Sequence, residues 1–314
     1  MSEIFSEIFT TAVLVAVVAS AIRLAVPLLL ASLGEAFGQR SGVLNLGVDG
    51  IMLLGAFSGY YAVLQSGNVW VGLFAGAVVG LILGLASAVI AVTLKAEQGI
   101  SGIGIYLFGL GMSDLLFQKL VGTPIPIDTF PKVEIPGLAS IPLIGEMFFQ
   151  HSLVVYLAFA AIPVSTFIIK RTTFGMKIRA VGEYPEAADT LGVSVAGVRY
   201  ATQLIGGTLA GAAGGVLAIS LGIFQQNLTN GAGFIAIALV YFGAWRPAGV
   251  MAGALLFGFI NALVLEFKTL GIIPRDLSNL AAMAPAIITI LVLVFAARRF
   301  KAPAALTKPF TRGK

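Results

Sequence analysis

Apolar residues run along this chain in long windows separated by short polar breaks. The windows fall near 11–33, 46–64, 71–94, 102–121, 152–169, 201–222, 233–244, 248–265 and 280–297. Most approach the ~20 apolar residues that a helix needs to cross a bilayer. The pattern predicts an all-α, polytopic transmembrane bundle of about 8–10 spans forming a single domain over 1–314. The window at 233–244 is too short to span alone, so part of the preceding loop is expected to join it as a broken helix. Pro27, Pro163 and Pro285 fall inside windows, where neighbouring helices can satisfy the carbonyls a proline frees. Five prolines between 122 and 150 rule out one continuous helix there and predict a structured external loop or short-helix cap.

Composition excludes a soluble domain. Of 314 residues, 58% are hydrophobic and 11% charged, and the mean hydropathy is +1.01; a water-exposed surface could not be built from that stock. There are no cysteines, hence neither disulfides nor thiolate metal sites. The lone His151 opens an apolar window and reads as an interfacial residue. The first ten residues, MSEIFSEIFT, are acidic and lack the basic region of a signal peptide, so the first window reads as a retained helix.

Charge then orients the chain. Lys170, Arg171, Lys177, Arg179 and Arg199 lie in a polar loop at 170–199; Arg298, Arg299, Lys301, Lys308, Arg312 and Lys314 lie in the tail at 298–314. The excess of Lys and Arg inside the cell puts both on the cytoplasmic face. Nine crossings counted back from a cytoplasmic C-terminus place the N-terminus and 122–150 outside, and Arg40 and Lys95 inside. A basic protein could bind nucleic acid, but no soluble basic domain is present to do so.

Glycines recur every fourth residue at Gly72, Gly76, Gly80 and Gly84, and again at Gly207, Gly211 and Gly215, with an echo at Gly249 and Gly253. Such spacing lets helix backbones approach closely; a pore lining is the other use of it. The stretch GVDGIMLLG followed by 71–94 resembles GFIAIALVYFG followed by 248–265. In this topology the copies run in opposite directions, and inverted repeats with glycine-interrupted helices mark transport pathways.

Two interruptions carry candidate chemistry. Ser41, Asn45 and Asp49 stand at i, i+4 and i+8, which on a helix would put three polar groups on one face. A carboxylate at depth marks a functional site or a buried partner, here Arg40 or the end of a half-helix. The second interruption, at 222–231, holds Phe224, Gln225 and Asn227, groups that suit a neutral, hydrogen-bonding, ring-bearing solute; an ordinary polar external loop is the other reading. Asp114, one turn before Gln118, reads as a bundle-facing group making an interhelical hydrogen bond. No phosphate-binding loop, HExxH or Ser-His-Asp set occurs, so no catalytic site is read on this chain. In the 170–199 loop, Pro185 and Glu186 begin a short helix that Gly192 stops, expected over 185–191.

Three segments resemble the permease subunits of bacterial ABC importers in the ribose/branched-chain amino acid permease superfamily, and within it the purine nucleoside and simple-sugar branch. They are GQRSGVLNLGVDGIMLLGAF, FGMKIRAVGEYPEAADTLGVSV and GFIAIALVYFGAWRPAGVMAGALLFG. The family usually has Glu at the position of Asp49, and Asn at the position of Tyr106. The resemblance implies a nonenzymatic subunit of the bacterial inner membrane, with no cofactor of its own. It also implies a second homologous permease, a cytoplasmic ATPase that binds ATP and Mg, and an extracytoplasmic solute-binding lipoprotein. Coupling to the ATPase would fall to Arg179, Gly182, Glu183, Pro185, Glu186, Ala187, Ala188 and Gly192; Tyr106 would join the polar residues of the pathway. An ion-coupled secondary transporter, which would want carboxylates paired with His or Lys at depth, and a channel remain the competing classes.

Overall fold

The computed structural model describes residues 11–296 and 301–312; the acidic start of the chain and Arg298 and Arg299 lie outside them. Over the described residues each apolar window is largely helical. The long helices are α1 (Thr11–Arg40), α2 (Val48–Ser66), α3 (Val69–Ala88, prolonged by a π turn at Val89–Thr93) and α4 (Gln98–Leu120). A two-stranded hairpin, β1 (Lys132–Glu134) and β2 (Gln150–Ser152), brackets the one-turn helix α5 (Ile144–Phe148). Then come α6 (Leu153–Arg171), α7 (Thr173–Glu183), α8 (Pro185–Thr190), α9 (Val195–Leu221), α10 (Ala232–Phe242) and α11 (Pro247–Thr269). The last window divides into α12 (Ser278–Ala282) and α13 (Ala284–Ala296), so Pro285 begins a helix where it was expected to kink one. Among the described residues, six helices are long and apolar enough to cross a membrane: α1, α3, α4, α6, α9 and α11.

Polar side chains close the helix starts. Asn68 Oδ1 accepts the Trp70 amide at the head of α3, and Ser194 Oγ accepts the Gly197 amide at the head of α9. Large apolar side chains remain uncovered on the outer helices, including Phe74, Ile82, Leu107 and Phe167, the surface expected where lipid is the solvent. The Pro-rich segment folds as the hairpin and α5. His151 is buried within it, its Nε2 paired with the Met147 carbonyl; burial holds its pKa below the usual imidazole value.

The centre of the bundle is a glycine seam. A Cβ on Gly80 would lie 2.2 Å from the Gly207 carbonyl oxygen, one on Gly211 would lie 2.3 Å from that of Gly76, and one on Gly55 2.5 Å from that of Gly211. Backbones of α2, α3 and α9 therefore touch directly, and the ridges pack helices together without lining a pore. Gly249 and Gly253 repeat this locally, against the Gly243 backbone and the Phe242 ring. Gly80→Ala is expected to lower the melting temperature of the purified protein, costing at least ~2 kcal/mol. Gly104→Ala, whose Cβ would meet nothing within 4 Å, should stay within about 0.5 kcal/mol of the parent.

Candidate functional site: a re-entrant turn and the surface that reaches it

After α1 ends at Arg40 the chain does not continue as a helix. Residues 41–47 fold back along the last turns of α1 and are almost wholly buried, so each backbone polar group there needs a partner inside the protein. The Ser41 and Val43 amides donate to the Gly38 carbonyl. The Leu44 amide donates to Gln98 Oε1 at 2.8 Å, and the Asn45 amide to Glu35 Oε1 at 3.1 Å. Asn45 Oδ1 accepts the Gly47 amide at 2.9 Å, closing the turn that starts α2.

Asp49 then joins the two broken helices. Its Oδ1 accepts the Gly233 amide at 2.7 Å, and its Oδ2 accepts the Thr229 hydroxyl at 3.1 Å. Gly233 is the second residue of α10, and a Cβ there would lie 2.3 Å from the Asp49 Cα. The N-termini of α2 and α10 abut, with the Asp49 carboxylate in the first turn of one and bonded to the first turn of the other. From that meeting point the two helices lead to different partners. The α2 helix carries Tyr60, whose hydroxyl donates to the Ile125 carbonyl at 2.8 Å. The α10 helix leads to Trp245, whose indole N–H donates to Gln39 Oε1 at 2.8 Å. Gln39 Nε2 in turn donates to Glu35 at 3.0 Å, so one chain of hydrogen bonds links α1, the re-entrant turn and the end of α10.

The expected helical face of Ser41, Asn45 and Asp49 does not exist, because the turn precedes α2. Ser41 Oγ instead donates to the Gly38 carbonyl and pairs with Thr202 Oγ1. All three residues are buried against their own chain, and Arg40 is not the partner of Asp49. Phe224 is also fully buried, within 6 Å of the rings of Phe57, Tyr60 and Phe117, so its ring fills a core. Gln225 and Asn227 are exposed in the 222–231 loop, and Tyr106 is half-buried with its ring edge-on to Phe234 at 5.1 Å. The interhelical hydrogen bond expected of Asp114 is not formed: its Oδ1 is buried with no hydrogen-bond partner among the described residues.

The polar loop at 170–199 forms α7 and α8. Pro185 is the first residue of α8, and the expected helix over 185–191 ends one residue earlier, before Gly192 at φ +82°. Pro185 and Ala188 face inward, whereas Glu186, Ala187, Tyr184 and Leu191 face out. Tyr184 and Leu191 are 71% and 83% exposed, an apolar pair standing on a polar surface. Gly182 lets α7 sit on the end of α1, since a Cβ there would lie 1.9 Å from the Arg40 carbonyl oxygen. Arg179 and Glu183 are exposed beside it.

Residues 301–312 are no free tail. The Ala305 amide donates to the Gly182 carbonyl, the Thr307 amide to the Gly42 carbonyl, and the Ala304 amide to Glu183. Arg312 pairs with Asp189 of α8 at 2.9 Å, and Lys95 Nζ donates to Thr311. Arg199, counted from sequence among the loop cations, is 1% exposed. Its Nε donates to the Ser41 carbonyl and its Nη1 to the Lys308 carbonyl, tying α9 to turn and tail together.

Sequence reasoning missed Glu35, Gln39, Thr202 and Trp245. The available signal was Glu35 and Gln39 at i and i+4, polar groups on one face of a helix otherwise apolar.

A family described as branched-chain amino acid transport system / permease component matches residues 17–297. A putative glucose ABC transporter permease of Haloferax volcanii is 42% identical over 78% of the chain and 75% of its own length. A guanosine ABC transporter permease of Bacillus subtilis is 38% identical over 91% of the chain and 93% of its own length. A nucleoside ABC transporter permease of Lactococcus lactis is 33% identical over 88% and 90%. The last two organisms each have a second similar permease, at 26% and 24% identity. No solved structure matches the chain.

Trp245→Phe keeps the ring and removes the N–H that serves Gln39. Stranding that buried amide oxygen is expected to cost ~1–3 kcal/mol in thermal unfolding, whereas Trp70→Phe, at a partly exposed site, should cost less than about 0.5 kcal/mol.

Proposed function

The chain belongs to the permease family of branched-chain amino acid transport systems, as a multi-pass permease subunit of an ABC importer, and on that premise we propose that it carries nucleosides or related small solutes across a bacterial inner membrane. ATP hydrolysis in such a system resides on a separate subunit, so the chain's own work is mechanical. The reading of the solute rests on the guanosine and nucleoside permeases, which align with about nine-tenths of the chain.

The observation that carries the mechanical reading is the exposed pair Tyr184 and Leu191 flanking α8. An apolar knob on a polar surface favours insertion into a groove of a soluble partner, and the partner proposed is the ATPase, holding ATP and Mg. Arg179, Glu183 and Glu186 frame that knob, Ala187 lies between its two apolar residues, and Pro185, Ala188 and Gly192 set the helix. Force received there has a short route inward. Gly182 bears on the Arg40 backbone, and Arg40 is followed directly by the turn that positions α2 and, through Asp49, α10. The same end of the molecule carries Lys95, Lys170, Arg171 and Lys177, which favours the cytoplasm for it and for the C-terminal residues, and the exterior, facing a solute-binding lipoprotein, for the hairpin end.

Tyr106, Asp114, Gln225 and Asn227 are the pathway candidates that remain accessible or unpaired, and a second, homologous permease would complete the passage. The paired permeases in two organisms support a heterodimer. Ser41, Asn45, Asp49 and Phe224 would shape that pathway by holding the broken helices.

Glu186→Arg is the test. Uptake of labelled guanosine by cells expressing the whole transporter should collapse while the protein stays in the membrane, and less ATPase should co-purify. Normal uptake and normal co-purification would refute the coupling role. Uptake lost on dissipating the proton gradient at constant ATP would point instead to ion coupling.

A further inference from the structure

Five cations meet at one end of the bundle, and among the described residues none of them has a carboxylate at salt-bridge distance. Arg40 at the end of α1, Lys170 and Arg171 at the end of α6, Arg179 on α7 and Arg246 at the head of α11 line a cleft of about 560 Å³. Arg179 and Arg246 are close enough to Arg40 to repel it, and Glu183 is the acid whose field reaches Arg40. Among the described residues the ion pair formed is Arg312 with Asp189, elsewhere on this end; none of the five cations has a carboxylate at salt-bridge distance. Five like charges lining one cleft, with Glu183 near but not paired with them, raise one another's energy and make the cleft an attractor for anions.

A second cleft, of about 500 Å³, continues from the first and shares Lys170, Arg246 and Pro247 with it. Its further walls are apolar or small: Phe242, Ala244, Ala248 and Ala252. It lies between α6 and the α10–α11 corner, and α6 exposes Val164 and Phe167 on the turns just before the cationic end. Ala244 and Trp245 at that corner hold positive φ, +52° and +57°, which turns the chain sharply and places Arg246 directly after it. The combination is a basic head joined to an apolar groove at the end of membrane-spanning helices. A soluble anion would use only the head.

We infer that this double cleft binds an anionic phospholipid, its phosphodiester among Arg40, Lys170, Arg171 and Arg246 and an acyl chain along Phe242 and Ala248. Basic pockets between transmembrane helices at the membrane surface are suited to such headgroups, each nearby Lys or Arg adding to the attraction. The inference rests on the membrane-spanning reading and not on the solute or the ATPase.

The test uses the full chain released from micelles holding equal amounts of phosphatidylglycerol and phosphatidylcholine, with retained lipid weighed by native mass spectrometry. Retention should favour phosphatidylglycerol, and Lys170→Gln with Arg246→Gln should cut that preference about 30-fold, two cations' worth. Lys119→Gln with Lys132→Gln, cations outside the cleft, should leave it unchanged. A second measurement needs no variant: phosphatidylglycerol should raise the melting temperature of the unmodified protein, and phosphatidylcholine should not. Equal retention of the two lipids, or equal losses in the two double variants, overturns the proposal. So does full displacement of the lipid by millimolar inorganic phosphate, which would make the cleft a site for a soluble anion. Loss of ATPase binding in the lipid-free Lys170→Gln/Arg246→Gln variant, without loss of lipid preference, would assign the cluster to protein docking and also overturn it.

Discussion

Two helices of this protein start against one another, with Gly233 pressed on the Asp49 backbone, and the rest of the structure is arranged around satisfying those starts. The first amides of a helix have no partner within it, and inside a bilayer an unpaired amide costs several kcal/mol. At α10 the Asp49 carboxylate accepts the Gly233 amide and the Thr229 hydroxyl, and at α2 the turn carbonyls of Asn45 and Gly47 accept the Val48 and Ile51 amides. The Gly233 amide and the Thr229 hydroxyl, with the helix ends beside them, offset part of what burial costs a carboxylate there. Because Gly233 is pressed against the Asp49 backbone, neither helix can shift far without breaking the pair.

That constraint explains why the other features sit where they do. The turn at 41–47 exists to start α2 at depth, and Glu35, Gln39 and Gln98 supply the acceptors and the link that an irregular buried backbone demands. The glycine seam holds α2 against α3 and α9 at backbone contact, fixing the frame within which the broken helices lie. Arg199 reaches from α9 to the turn and to the strap at 301–312, and the strap is bonded to α7 and α8. Surface helix, strap and re-entrant turn thus form one connected body. Packed backbone and hydrogen bonds join α8 to the turn, a contiguous network of the kind the proposed coupling would use.

Much of this was legible in the sequence, at the level where hydrophobic pattern and glycine spacing act. Over the described residues each apolar window became largely helical, the i, i+4 glycines became a seam, and Pro185, Glu186 and Gly192 marked α8 to within one residue. What the sequence concealed were pairings between distant segments. Ser41, Asn45 and Asp49 have helical spacing, yet the first two lie in a turn, because local spacing cannot reveal that Glu35 and Gln98 offer that turn its acceptors. Phe224 looked available from its polar neighbours, and only the tertiary fold brings Phe57, Tyr60 and Phe117 around it. Arg199 counts as a loop cation in any tally of charge, yet carbonyls of Ser41 and Lys308, 158 and 109 residues away, hold it inside.

The central claim is that the Asp49 carboxylate holds the start of α10. Amide hydrogen exchange in the full chain, comparing the parent with Asp49→Ala, reads it directly. The account predicts faster exchange for the segment 229–236 and for 45–52, with the α3–α9 seam still protected. Unchanged protection at 229–236 would contradict it.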